Sequence, residues 1–82
     1  MYQLIYSEHV LKQLKKLNDF TKNRIVTTLE RIRIRPYKRV KKLVGSKYFR
    51  LRVGDYRIIV NIKEDKLIIL VLELGHRKNI YN

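Results

Sequence analysis

The chain has 82 residues, with 20 Lys or Arg against 7 Asp or Glu, a formal net charge of +13. At that length it is expected to be one domain, residues 1–82, burying roughly 60% of the surface its unfolded form exposes, and its 45% apolar content with few Gly and Pro argues against disorder. The absence of Cys excludes a disulfide framework and a thiolate zinc site, while the charge imbalance draws polyanions, nucleic acid first and an acidic protein second.

Tyr2 to Tyr6 alternates and reads as a short strand. Ser7 offers an oxygen to cap a helix, and Glu8 in its first turn suits the helix dipole. Val10, Leu11, Leu14 and Leu17 fall on one helical face, with Lys12, Lys15 and Lys16 on the other. Asn18-Asp19 marks a stop and a restart. A second helix follows, with a stripe of Ile25, Leu29 and Ile32, and Pro36 disfavours helical geometry at Arg35. Two amphipathic helices with so short a join make an αα-hairpin. From Arg31 to Lys42 the chain is dense in basic residues. Lys38, Arg39, Lys41 and Lys42 are expected in a loop that extends a positive track for a phosphate backbone.

Phe49 to Ile58 carries the clearest pattern. Phe49, Leu51 and Val53 point one way, Tyr48, Arg50 and Arg52 the other. Gly54-Asp55 is a two-residue hairpin signal, which sets Val53 opposite Tyr56 and Arg52 opposite Arg57. Like charges directly across a strand pair repel, and Arg50 stands on the same face. A docked phosphate would offset that repulsion, since the planar fork of arginine suits it. Arg57 to Ile62 and Leu67 to Leu74 read as central strands joined by the polar turn Lys63 to Lys66. The apolar run Leu67 to Leu72 is too short to span a bilayer, and no signal peptide is seen before the first strand. A soluble cytoplasmic protein without membrane contact is expected. The fold class is α+β: an N-terminal strand, a two-helix hairpin and a three-stranded antiparallel meander, with the helices packed on one face of the sheet. That face should bear Phe49, Leu51 and Ile58, and the opposite face the arginines.

In the tail, from Gly75 to Asn82, plain alternation puts His76 on the Arg57 face, unless a kink at Gly75 reverses the parity. Tyr81 either packs on the sheet or stacks on a base.

The pattern Lys42-Leu43-x-Gly45, then Tyr48-x-Arg50-Leu51-Arg52-Val53-Gly54-Asp55-Tyr56-Arg57-Ile58-Ile59, then Gly75 to Tyr81 resembles the RelE/ParE toxin superfamily over the whole chain. It looks most like RelE-type toxins of bacteria and archaea. The resemblance implies a toxin of a type II toxin–antitoxin module, a metal-independent, ribosome-dependent endoribonuclease that cleaves mRNA in the ribosomal A site. It implies no cofactor and a RelB-like acidic antitoxin. The family's functional positions fall on Arg50, Arg52, Arg57, Arg77 and Tyr81. Arg39, Lys41, Lys42, Lys47 and Lys78 are expected to contact RNA or the ribosome. Two departures bear on mechanism. Bacterial relatives carry Lys where this chain has Arg50 and Arg52, and the tail Tyr sits closer to the tail Arg. Arginine stays protonated, so Arg50 and Arg52 suit charge stabilisation rather than proton removal, leaving Tyr81, His76 or a ribosomal group for the protons. The alternatives are a ParE-like toxin that poisons DNA gyrase through protein contact, and a nucleic-acid-binding module without catalysis.

Overall fold

The chain opens with a strand, β1 (Gln3–Tyr6), and Ser7 turns it into a helix, α1 (Glu8–Lys15). Ser7 makes that junction with three hydrogen bonds. Its hydroxyl oxygen accepts from the Val10 N–H at 3.1 Å and donates to the Leu72 carbonyl at 3.1 Å, while its own N–H donates to the Val71 carbonyl at 3.0 Å. One residue thus caps the helix and ties it to the last strand. Asn18 repeats the capping device for α2 (Asp19–Ile32), accepting from the Thr21 N–H at 2.8 Å. After α2 come a single 3-10 turn (Pro36–Lys38) and four strands, β2 (Val40–Lys42), β3 (Phe49–Val53), β4 (Tyr56–Lys63) and β5 (Ile68–His76). The computed structural model describes residues 1–76, so Arg77, Lys78 and Tyr81 lie outside the described residues.

The strands form one sheet in the order β1-β5-β4-β3-β2, antiparallel except for the parallel pair of β1 with β5. The expected architecture is present, with one more strand than the meander foreseen. The stretch Val40 to Lys42, expected as loop, is an edge strand paired with β3. Tyr37, in the turn that precedes it, packs on β3. The ring meets that of Phe49 edge-on at 5.5 Å, and desolvation and the Glu64 carboxylate push its hydroxyl up to about 12.

Both helices cover one face. Val10 and Leu14 of α1 and Ile25, Leu29 and Ile32 of α2 pack with Leu51, Val53, Ile58, Val60, Ile62, Ile69, Val71 and Leu74 of the sheet, all buried. The other face carries the alternate residues. Apolar alternation along β3 and β4 therefore decides which side chains the helices leave uncovered.

β1 pairs with β5 only from Ile68 to Val71, so among the described residues the outer edge of β5 beyond it has no strand partner. Gln13 of α1 closes part of that edge. Its side-chain amide donates to the Leu74 carbonyl at 2.6 Å and accepts from the Leu74 N–H at 2.8 Å, as a peptide unit of a neighbouring strand would. Replacing Gln13 by Ala leaves both groups without that partner. The expected cost is about 1–3 kcal/mol, read as a melting temperature lowered by roughly 4–8 °C per kcal/mol. An unchanged midpoint would mean that water substitutes fully at this edge. No helix among the described residues is long and apolar enough to cross a membrane.

Candidate nucleic-acid interface

Register brings the basic residues of three strands onto the uncovered face. Arg52 of β3 lies directly opposite Arg57 of β4, and Arg50 directly opposite Lys41 of β2. The Arg52–Arg57 pairing is the one read from the sequence. The Arg50–Lys41 pairing exists because Lys41 belongs to a strand. The ion pairs among the described residues are Lys22–Asp19, Arg33–Glu30 and His9–Glu73, so none of them neutralises Lys41, Arg50 or Arg52.

The turn that aligns the hairpin is Gly54-Asp55. Gly54 has φ +58°, and Leu67 is the one non-glycine residue with positive φ among those described. A positive φ at the first central position alone is the type II′ arrangement, which matches the twist of the paired strands. The same glycine lets α2 approach. A Cβ placed on Gly54 would meet the Arg24 guanidinium, with Nη1 at 2.9 Å. Gly54→Ala is therefore expected to cost about 1–2 kcal/mol through backbone strain, with Arg24 swinging aside. Thermal unfolding measures it, and a cost below about 0.3 kcal/mol, small against that strain, would show that the turn relaxes.

β5 departs from simple alternation. Ile59 pairs with Glu73 while Val60 pairs with Val71, so Leu72 is an extra residue, a β-bulge. The bulge reverses the parity of the residues beyond it. Gly75 stands opposite Arg57, and His76 stands opposite Tyr56 on the helix-covered side, its ring edge-on to the tyrosine at 5.0 Å. Plain alternation had put His76 beside Arg57. The reversal that a kink at Gly75 could cause occurs three residues earlier, where the Ser7 hydroxyl holds the Leu72 carbonyl. Gly75 has no side chain, so β5 places none directly across from Arg57 on that face.

The other basic positions separate into two places. Arg39 lines a groove with Arg52 at the Gly54 end of β3. Lys42 and Lys47 flank the turn at the opposite end, with the Lys47 Nζ 5.6 Å from the centre of the Tyr48 ring. The five residues of β3, roughly 17 Å of strand, separate the two places. Lys42 pairs with Phe49 and so takes the opposite parity from Lys41. The sequence reading overlooked Arg24 and Arg31 of α2, which line the Arg39–Arg52 groove. Their signal was present. Phe20, Arg24, Thr27 and Arg31 recur at helical spacing on one stripe, apart from the core stripe of Ile25, Leu29 and Ile32.

A model of the ParE toxin family of the type II toxin–antitoxin system parDE matches residues 4–81. The chain belongs to that family. No curated protein matches it. Solved structures extend the likeness to RelE. The archaeal RelE–RelB complex from Pyrococcus horikoshii contains a chain 28% identical, with a TM-score of 0.83, covering 93% of this toxin and 94% of that chain. The RelBE2 toxin–antitoxin complex from Mycobacterium tuberculosis matches at TM-score 0.85 and 22% identity, over 93% of this chain and 98% of the other. The E. coli RelBE complex matches at TM-score 0.82 and 22% identity, over 93% and 96%. The toxin thus has the RelE fold, with an N-terminal strand, two helices and a strand meander in a five-stranded sheet.

Proposed function

We propose that this toxin is a ribosome-dependent endoribonuclease of the cytoplasm that cuts messenger RNA in the ribosomal A site. The observation that carries the reading is the placement of Lys41, Arg50, Arg52 and Arg57, from three strands, on the sheet face the helices leave uncovered. Attack of an RNA 2′-hydroxyl on the adjacent phosphate builds negative charge on the phosphoryl oxygens. Guanidinium groups preorganised around that position stabilise the charge without having to reorient. They stay protonated and do not take the 2′-hydroxyl proton. The P–O5′ bond then breaks to leave a 2′,3′-cyclic phosphate; taking the 2′-hydroxyl proton and protonating the departing 5′-oxygen are assigned to Tyr81 or a ribosomal group, and further charge stabilisation to Arg77. Holding the RNA in an attack geometry is then left to the ribosome.

An acidic RelB-like antitoxin is the partner proposed to hold the toxin inactive. The solved relatives are complexes of RelE with RelB, and a net charge of +13 favours an acidic binder. The family match supports a second reading, gyrase poisoning through protein contact. That activity needs no gathering of arginines on one face. Translation in vitro with mapping of message ends separates the two. Cut messages in the presence of ribosomes support the first, whereas intact messages with inhibited supercoiling support the second.

A further inference from the structure

The groove between α2 and the end of β3 is the strongest feature that the sheet-face site does not absorb. β2 pairs with β3 only as far as Leu51, so among the described residues Arg52 to Gly54 have no strand on their outer side. α2 borders that open edge, and Arg24, Arg31, Arg39 and Arg52 line the groove between them. None of the four takes part in an ion pair among the described residues. Arg24 and Arg31 are two turns apart on the exposed stripe of α2, about 10.5 Å along its axis. Phe20 lies at the start of the same stripe and lines the groove while 76% exposed. A large aromatic ring in water beside guanidinium groups is the pairing that single-stranded nucleic acid uses, with stacking for a base and cations for the backbone.

We propose that this groove binds a single-stranded segment of RNA, its phosphates held by Arg24, Arg31 and Arg39 and one base stacked on Phe20. Arg52 lies on the boundary with the sheet face, so a strand crossing the Gly54 turn contacts both surfaces. The Arg24 guanidinium against Gly54 holds the crossing point. The inference deepens the RNA-directed reading above and rests on it. An acidic protein segment is the competing occupant. An exposed phenylalanine at the mouth and planar forks rather than lysines favour RNA.

The test is binding of the full chain to a fluorescent single-stranded RNA oligonucleotide over a range of salt concentrations. Each phosphate contact contributes about 0.7 to the slope of log affinity against log salt for a single strand. The double variant Arg24→Gln with Arg31→Gln is expected to lower the slope by about 1.4, whereas Arg24→Lys with Arg31→Lys keeps it. Phe20→Ala is expected to weaken binding roughly tenfold with the slope unchanged. All these positions are exposed, and melting curves check that the variants fold. Unaltered slope and affinity in the Gln variant, beside binding by the parent chain, would overturn the groove alone. Loss of affinity for an acidic peptide with RNA binding intact would assign the groove to protein. No binding of RNA by the parent chain would overturn both the groove and the reading beneath it.

Discussion

Arg52→Gln is expected to cut message cleavage by about 10²–10³-fold, the usual loss when one preorganised donor to a developing oxyanion is removed. The same change should raise stability. Arg52 stands directly across from Arg57, and relief of a like-charge cross-strand contact is worth roughly 0.2–1 kcal/mol. The combination is diagnostic, because a residue kept for the fold loses stability when replaced, whereas a residue kept for an anion gains it. Phosphate or a short oligonucleotide should correspondingly raise the melting temperature of the unaltered protein more than that of the variant, as expected for any ligand that binds the folded form. Lower stability with undiminished cutting would remove Arg52 from the site.

Leu29→Ala carries the largest expected effect on folding. Leu29 is fully buried, in the last turn of α2, within the cluster that joins both helices to the sheet. Truncating a buried Leu costs about 2–5 kcal/mol, a large part of the total for a domain whose stability is of order 5–15 kcal/mol. Leu11→Ala is the contrast. That side chain sits at the margin of the apolar stripe of α1, 46% exposed rather than in the core, and the change should cost only about 1 kcal/mol. Chemical denaturation of the two variants side by side measures the difference. Equal midpoints would mean that α2 is not held by this cluster.

Local chemistry was readable in the sequence and long-range pairing was not. Ser7, Asn18 and the Gly54 turn announce themselves because capping and turn geometry depend on neighbours in the chain. The Arg52–Arg57 contact came from that turn and the period of a strand. β2 is three residues, Val40-Lys41-Lys42, with no pattern of its own, and it becomes a strand only because β3 offers an edge. That decides where Lys41 goes, so this part of the basic face could not be read. The bulge was hidden for another reason. From Ile68 to Leu72 every residue is apolar, so an inserted residue leaves no break in alternation to see. The order of strands in the sheet depends on which segments meet in space, and composition does not encode it. Arg24 carries no local mark of its own and Arg31 reads only as the start of a basic run, until the fold sets both beside Arg39.

The extra residue at Leu72 has a bearing on how such toxins can diverge. Facing in a strand is a two-valued property, so no exchange of one amino acid for another can turn the end of β5 over. A change in pairing can. If the same residues ran on from Val71 without the bulge, Leu74 instead of Gly75 would stand opposite Arg57 and His76 would join that face. Loss of the one extra residue, by contrast, would straighten the strand and leave Gly75 where it is. The bulge thus keeps a glycine rather than a leucine across from Arg57, and lineages sharing this scaffold can shed it by a deletion without altering that facing.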